Sequence, residues 1–204
     1  MTVPVAKTAK GAATRAAVIR AAAGVFGRRG YVAASMNEIV AATGLTKGAV
    51  YFHFASKADL AVAVILDGKD RWLAAASQEA ASHPRAIDQL TAVADLVARL
   101  AASPDEDVNL VRLTNELAAS ADGAALPEPA AMLKPWVDFL AEIVRAAQAA
   151  GDLDASRSPH DVASVLIAAF EGVKQSLDPT TTQFRRQVTL LREVLLAGLA
   201  APTR

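Results

Sequence analysis

A chain of 204 residues, 53% of them hydrophobic and none of them cysteine, can bury a substantial core but cannot form disulfides, thiolate metal sites or a cysteine nucleophile. The formal net charge of zero conceals an asymmetry, because residues 1–57 carry eight basic side chains and one acidic one, whereas the rest of the chain carries 13 basic and 20 acidic ones. A basic N-terminal segment on an acidic body indicates a binding site for a polyanion near the N-terminus.

No targeting or membrane segment stands out. Lys7, Lys10 and Arg15 lie near the N-terminus, but no apolar core follows them, so the pattern does not predict a secretory signal. No uncharged apolar stretch reaches the roughly 18 residues that a membrane-spanning helix needs. We therefore expect a cytoplasmic protein that does not contact a membrane.

Helix signals run through the whole chain, and no alternating β-branched run or Asn-Gly hairpin signal interrupts them. Residues 1–11 predict a disordered basic arm. The first helix is expected over residues 11–29, where apolar side chains recur at helical spacing, with Gly30 as a left-handed C-cap. The fold class we predict is all-α, with about nine helices.

Three sharply delimited elements follow this first helix. Ser35 and Glu38 form a capping-box pattern that starts a short helix, which Gly44 ends. Thr46 is expected to cap a second short helix. A further capping pattern at Ser56 predicts the start of a long helix.

Two short helices joined by a tight turn are the pattern of a helix-turn-helix, whose second helix enters the major groove of DNA. We expect Phe52 and Phe54 to be core residues. A Thr and a Lys at the start of an outward-facing helix are placed to reach base edges or phosphates, and a glycine there lets the backbone approach DNA closely. The residues expected on the outside of the second short helix are Thr46, Lys47, Gly48 and Tyr51.

Pro, Gly and Ser-Pro breakers divide the rest of the chain into helices of the length found in helical bundles, with no long linker and no repeat. The breakers are Pro84, Ser103–Pro104, Asp122–Gly123, Pro127, Gly151, Ser158–Pro159 and Asp178–Pro179. Acidic residues at Asp105 and Glu106 are expected to start one of these helices.

The helix-turn-helix segment resembles the N-terminal domain of the TetR family of regulators. The resemblance rests on the sequence FGRRGY at residues 26–31, on a helix that begins after a serine, and on GLTKGAVYFHFASKADL at residues 44–60. It covers residues 13–60, about a quarter of the chain. This combined pattern is far more specific than a lone glycine motif.

The resemblance implies a function for several positions. Thr46, Lys47, Gly48 and Tyr51 match DNA-contact positions of the family, and Ser35, His53 and Lys57 match positions that hold phosphates. Lys57 also lies at a helix N-terminus, which favours anions. The resemblance further implies a DNA-binding domain over residues 1–56 and a ligand-binding and dimerisation domain over residues 57–204. It also implies a dimer that binds a pseudo-palindromic double-stranded operator until a small-molecule inducer releases it.

The C-terminal body is similar to the γ-butyrolactone-receptor branch of actinobacterial regulators, on the strength of YFHF at residues 51–54 and of Trp136 followed by AAQAAGDLD. This resemblance implies that Trp136 lines the ligand cavity, although an ordinary core tryptophan is the alternative. Trp72 is the less favoured pocket residue. Further candidate ligand contacts are Thr114, Asn115 and Gln148. A body with so few aromatic residues predicts an aliphatic cavity for a small, mostly apolar molecule with a few oxygen acceptors.

The last two helices carry apolar faces broader than one-sided packing requires, which predicts a four-helix interface between two copies of the chain. The residues that we expect in this interface are Val162, Leu166, Phe170, Leu191 and Leu195. A purely intramolecular core is the alternative explanation of the same faces.

Three other functions compete with this interpretation. An enzyme is disfavoured because the three histidines are scattered and no metal-ligand spacing, nucleophile elbow or phosphate loop occurs, so we expect no catalytic residue, metal or cofactor. A TetR-type repressor that senses an unrelated hydrophobic metabolite or drug remains open. So does, more distantly, a helical adaptor that binds no DNA.

Overall fold

The computed structural model describes residues 9–102, 109–177 and 181–200. Within these ranges the chain forms nine α-helices, one short 3-10 turn at Gly123–Ala125 and no strand, which confirms the all-α prediction. The helices are α1 (Ala9–Ala33), α2 (Met36–Thr43), α3 (Lys47–His53), α4 (Lys57–Ala81), α5 (Ala86–Ala102), α6 (Leu110–Ala118), α7 (Pro129–Ala149), α8 (Pro159–Ser176) and α9 (Thr182–Leu199). The expected start signals Asp105 and Glu106 and the breaker Asp178–Pro179 fall outside the described residues, as does most of the expected N-terminal arm.

The caps of the short helices are confirmed. The Ser35 hydroxyl accepts a hydrogen bond from the Glu38 N–H at 3.2 Å, and the Glu38 carboxylate accepts one from the Ser35 N–H at 3.0 Å. Gly44 ends α2 in the left-handed region at φ 67°. The Thr46 hydroxyl caps α3 by accepting from the Ala49 N–H. Local hydrogen bonding by short polar side chains therefore fixes where α2 and α3 begin.

The end of α1 differs from the prediction. Gly30 has the expected positive φ, at 73°, but the chain resumes a helical turn after it and α1 ends at Ala33. The glycine therefore marks a kink inside the helix rather than its C-cap. A Cβ at position 30 would lie 2.7 Å from side-chain atoms of both Arg112 and Glu116, so α6 lies directly against this kink.

The chain divides into two compact units. The first unit holds the described residues up to Lys69 together with those of α6 and the following segment to Pro127. Its core is built around α1, whose buried face includes Val18, Ala22 and Phe26. Gly68 of α4 belongs here, because a Cβ at this position would clash with the Leu110 side chain. The compact unit is thus larger than the DNA-binding domain expected over residues 1–56.

The second unit holds residues 70–102 and 128–200 as far as they are described. Its core is aliphatic and lies among the end of α4, α5, α7 and α8, with Leu196 and Leu199 of α9 packed against it. Val144 of α7 and Ala163 of α8 are fully buried at its centre. The apolar faces of these helices meet in the way that the breaker pattern predicts for a bundle.

Among the described helices, none taken singly combines the length and apolar composition needed to cross a membrane. Only α3 and α4 taken together, across a bend of 63°, have that length and composition.

Candidate nucleic-acid interface and ligand site

The outer face of α3 presents the side chains that the sequence singles out. Thr46, Lys47 and Gly48 are exposed, and the Tyr51 side chain is 39% exposed on the next turn. The Lys47 ammonium lies 5.6 Å from the centre of the Tyr51 ring, which is within the range of a cation–π contact. The structure therefore brings these four residues together on one surface.

The opposite face of α3 anchors it in the first unit. Val50 of α3 and Ile39 of α2 are both completely buried. Phe54, directly after α3, is 4% exposed and lies 5.1 Å below the guanidinium of Arg15. Phe52, in contrast, is 70% exposed, so the expectation that it belongs to the core is wrong. Phe52 lies on the side of α3 that no other described helix of the first unit covers.

Neither the backbone conformation nor the packing of the chain requires a glycine at position 48. It has an ordinary helical conformation in the first turn of α3, and a Cβ at this position would meet no atom within 4 Å. Glycine costs a helix about 1 kcal/mol relative to alanine. A residue that the fold does not require, at an exposed helix start, is consistent with the close approach of another molecule.

Ser35 is exposed, but its polar atoms are engaged in the α2 cap. The Glu38 carboxylate also forms a salt bridge of 3.3 Å with Arg29. Hydrogen bonds from the Ser35 hydroxyl and backbone, together with Arg29, hold the pKa of Glu38 below its ordinary value. Ser35 therefore acts first as a cap, and its expected phosphate contact remains a prediction.

Lys57 does not point to solvent as a free phosphate ligand would. Its ammonium donates to the backbone carbonyls of Tyr31 at 2.8 Å and Ala34 at 3.0 Å, with Val32 at 3.4 Å. It also lies 4.4 Å from the centre of the Tyr31 ring. In this structure Lys57 ties the end of α1 to the start of α4, which is a positioning function, and its predicted phosphate contact stays a prediction.

Tyr31 joins α1 to α6 through its backbone and to the segment after α6 through its side chain. Its N–H donates to the Glu116 carboxylate, and its hydroxyl donates to the Asp122 carboxylate. The Glu116 carboxylate is in turn held by Arg112 at 2.7 Å. Burial, together with the bond to Asp122, raises the pKa of the Tyr31 hydroxyl far above its ordinary value. Within the first unit, the segment after α5 thus holds the residue that precedes the helix-turn-helix.

His53 lies at the end of α3 and is half-buried between two aromatic rings. Its ring centre is 5.1 Å from that of Phe52, edge to face, and 6.5 Å from that of Phe54. The ring packing explains its orientation, and its predicted phosphate contact stays a prediction.

Comparison with known proteins identifies this arrangement. Residues 18–64, which span α1 to the start of α4, match the family described as bacterial regulatory proteins, tetR family. The crystal structure of TylP, a TetR regulator from Streptomyces fradiae, is 31% identical, with a TM-score of 0.68 over 95% of this chain and 89% of that one. The chain belongs to the TetR family. It is a DNA-binding, ligand-responsive transcriptional repressor, and the family is one of regulators rather than enzymes.

Two further relatives concern the branch of the TetR family. The A-factor receptor protein of Streptomyces griseus is 28% identical over 199 residues, which are 97% of this chain and 67% of that protein. The structure of a γ-butyrolactone receptor, described as ArpA-like, is 28% identical, with a TM-score of 0.59 over 93% of this chain and 89% of that one. These similarities agree with the branch that the sequence indicates.

The four predicted ligand residues of this TetR-family member divide between the two compact units: Trp136 and Gln148 belong to the second, and Thr114 and Asn115 to the first. Trp136 is half-buried against the core of the second unit, with its ring centre 6.3 Å from that of Phe139. Gln148 lies more than three turns further along α7, and its amide donates to the carbonyls of Asp154 and Arg157 at 2.9 Å each. The geometry thus gives Gln148 the function of holding the loop after α7, and the ligand contacts expected for Gln148 and Trp136 remain predictions.

Thr114 and Asn115 belong to α6 and therefore to the first unit. The Thr114 hydroxyl donates to the Leu110 carbonyl at 2.7 Å, and Asn115 is exposed. The structure does not bring either residue together with Trp136 in one compact unit, so their ligand contacts remain untested predictions.

An open cleft of about 310 Å³ lies between α4 and α5 of the second unit. Its lining includes the carboxylates of Glu79, Asp88 and Asp95, and the Arg192 guanidinium pairs with Asp95. Such a polar lining does not match the aliphatic cavity that the composition predicts.

The predicted dimer residues divide into two groups. Val162 is 7% exposed and lies in the core of the second unit, Leu166 packs against that core, and Phe170 contacts the Phe184 ring edge to face at 6.3 Å. Leu191 and Leu195 are half-buried. The large apolar side chains that stay open on α8 and α9 are neighbours of these positions, namely Val165, Leu190 and Val194.

Proposed function

We propose that this TetR-family repressor reads a pseudo-palindromic operator as a homodimer through α3 and leaves it when a small, mostly apolar molecule binds. The inducer class that we favour is a γ-butyrolactone or a related furan. The observation that carries the DNA-binding part is the joint exposure of Thr46, Lys47, Gly48 and Tyr51 on a helix whose other face is buried. We retain the cytoplasm as the location, because the proposed target is operator DNA.

The charge distribution supports contact between DNA and the N-terminal segment. The net charge of +7 over residues 1–57 attracts phosphates, whereas the acidic remainder repels them. A body that DNA repels leaves the basic helix-turn-helix as the contact surface.

An unpartnered apolar face supports the dimer. Val165 on α8 is 57% exposed, and Leu190 and Val194 on α9 are 50% and 60% exposed. Gly172, two turns after Val165 on α8, has nothing within 4 Å of a Cβ position, so another helix can approach closely there. Helices from two copies that pack on this face form a four-helix interface.

Two lines of evidence support the ligand class. The relatives named above include an A-factor receptor and a γ-butyrolactone receptor. The core of the second unit is built from Ala, Leu, Val and Ile with Trp136 at its edge, and a pocket lined by such side chains would suit an alkyl chain and disfavour a charged drug. An unrelated hydrophobic metabolite fits the same lining and is the second candidate.

The DNA part of this proposal is tested by selecting duplexes from a random pool with the purified protein. We expect enrichment of a pseudo-palindrome. The centres of its half-sites should be separated by one helical turn of DNA, about 34 Å, or by a multiple of that distance. Enrichment of no sequence, combined with failure to bind heparin at low salt, would favour the helical adaptor.

The ligand part is tested by native mass spectrometry of the protein purified from its source. We expect the dimer to carry a neutral lactone or furan, and the isolated compound to release the selected operator. A dimer that carries a different hydrophobic compound with this releasing effect would replace the butyrolactone class and leave the repressor function intact.

A further inference from the structure

The phenyl ring of Phe52 stands at the surface of α3, where the side chain is 70% exposed. The His53 ring touches it edge to face, with 5.1 Å between the ring centres, and this contact orients the Phe52 ring without covering it. A lone exposed apolar side chain is ordinary on a protein surface, so exposure by itself assigns no function. The position of Phe52 on α3 is the more informative observation.

Phe52 shares one face of α3 with Gly48. The two residues are four positions apart and therefore lie one above the other on the surface of the helix. Val50, two positions from each of them, faces the opposite way and is completely buried. Gly48 and Phe52 thus form the strip of α3 that points most directly away from the core of the first unit, and the exposed Lys47 and Tyr51 lie beside it.

The glycine leaves open space one turn before the ring. A Cβ at position 48 would meet no atom within 4 Å, so the surface next to Phe52 carries no side chain there. A helix of seven residues is about 10 Å long and fits within the major groove of DNA, which is about 12 Å wide. A backbone that reaches the base edges at Gly48 brings the Phe52 ring against the edges of neighbouring base pairs.

We infer that Phe52 contacts the methyl group of a thymine in the operator and is a specificity-determining residue of α3. This inference rests on the proposed function and names a base that the helix recognises. A phenyl ring has no donor and no acceptor, so it cannot read the hydrogen-bonding groups of the base edges. The C5-methyl of thymine is the apolar group that a base pair presents in the major groove, and the contact removes both apolar surfaces from water.

Tyr51 is the other aromatic candidate on the exposed side of α3. Its side chain is 39% exposed, and the Lys47 ammonium lies 5.6 Å from the centre of its ring. Its hydroxyl can also form hydrogen bonds with a base or a phosphate. The Phe52 ring is the more exposed of the two and has no polar group, so an apolar contact suits it better.

The test uses duplexes in which deoxyuridine replaces thymine, a change that removes the methyl group and keeps the hydrogen-bonding groups. The operator selected from the random pool is synthesised with each thymine replaced in turn, at the equivalent positions of both half-sites. Fluorescence anisotropy gives the affinities of wild type and Phe52→Ala. Val32→Ala is the matched control, because Val32 is 75% exposed in the same unit but lies at the end of α1.

We expect one thymine in each half-site whose replacement weakens wild-type binding about 4-fold for each methyl group lost, the value of burying one such group. Phe52→Ala should bind the thymine and deoxyuridine duplexes equally, whereas Val32→Ala should keep the wild-type preference. Since Phe52 is exposed, Phe52→Ala should also keep the melting temperature of wild type, which separates the lost preference from a folding defect.

The inference is overturned if wild type binds every deoxyuridine duplex as well as the thymine duplex, or if Phe52→Ala keeps the wild-type preference. Loss of the preference in Tyr51→Ala instead would assign the methyl contact to Tyr51. A preference that persists while Phe52→Ala binds all duplexes more weakly would place the ring against deoxyribose. A Phe52→Ala protein whose sedimentation without DNA differs from that of wild type would place the ring in a contact between two copies.

These outcomes also separate the inference from the proposed function. Every result named so far leaves a protein that binds a selected operator, so the repressor function stands when the Phe52 assignment fails. If the selection enriches no duplex, operator recognition by α3 and the thymine contact are contradicted together.

Discussion

Single residues with local functions are the part of this molecule that the sequence predicts best. The Ser35 capping box and the Gly44 turn depend on hydrogen bonds and backbone angles within a few residues, and the structure confirms both. The exposure of Phe52 and the carbonyl contacts of Lys57 could not be predicted from such local signals. Burial of Phe52 depends on which other helices surround α3, and the carbonyls that hold Lys57 come from more than 20 residues earlier in the chain.

At Gly48, replacement by alanine should weaken operator binding by about 1–3 kcal/mol, the value of a lost close contact at the base edges. It should leave stability unchanged or raise it slightly, because a Cβ meets nothing within 4 Å and alanine favours the helix. Fluorescence anisotropy with the selected operator and thermal unfolding measure the two quantities.

Gly44→Ala is the matched control for this substitution. It also places a methyl group in open space, but at φ 67°, where an L-residue is strained. We expect it to lower the melting temperature. A Gly48→Ala protein that binds the operator like wild type would remove the evidence that DNA approaches the α3 backbone.

Tyr31 gives a prediction about alkaline pH. Burial and the Asp122 carboxylate disfavour the phenolate, so the folded-state pKa is raised above the ordinary value near 10. The stabilisation is complete below the unfolded-state pKa and is lost as the pH rises towards the folded-state pKa. In a Tyr51→Phe protein, where Tyr31 is the only tyrosine, ultraviolet absorbance should show no phenolate through pH 10 until the chain unfolds. Titration of the native protein near pH 10, as in urea, would contradict the Tyr31–Asp122 contact.

At the scale of the helices, local sequence signals predict where a helix begins and ends but not which distant helix it packs against. The bounds of α2 and α3 follow from their caps, but the contacts of Tyr31 with α6 and with the segment after it join residues that are 85 and 91 positions apart. The periodic spacing of apolar side chains along each helix does not predict such a contact. The sequence therefore assigns α6 to the ligand-binding body, whereas the structure places it in the same compact unit as the helix-turn-helix.

Gly30→Ala tests the α1–α6 packing at the scale of the helices. Position 30 has φ 73°, and a Cβ there would lie 2.7 Å from the Arg112 and Glu116 side chains, so we expect destabilisation of more than about 1 kcal/mol. Urea unfolding of this variant, with Gly48→Ala as the control, measures the effect. Equal stability of the two variants would mean that α6 does not constrain the kink.

The whole molecule is predicted to be a dimer through the open face of α8 and α9. Val165→Glu and Val194→Glu should give folded monomers, because both side chains are exposed in the single chain. Val162→Glu, one turn away on α8 but 7% exposed, should instead unfold the second unit, because it buries a charge in the core. Analytical ultracentrifugation with circular dichroism distinguishes these outcomes. An unchanged dimer in both surface variants would place the interface elsewhere.

The apolar faces of α8 and α9 illustrate what composition can and cannot predict for the assembly. Their breadth indicates two partners, but the residues expected in the dimer include Val162, which the core of the same chain uses. Which residues of α8 and α9 face the core and which face a second copy depends on the rotation of each helix about its axis. The breadth of an apolar face does not predict that rotation.

The central claim, that the basic N-terminal segment of residues 1–57 reads DNA through α3, is tested most directly by the salt dependence of operator binding. The comparison is between wild type, Lys47→Ala and the control Lys134→Ala, whose lysine is exposed on the acidic body and pairs with Asp138. We predict that Lys47→Ala weakens binding and lowers the slope of log K against log salt by about one, the effect of one lost phosphate contact, while Lys134→Ala changes neither quantity. Affinity and slope equal to wild type in Lys47→Ala would contradict the claim.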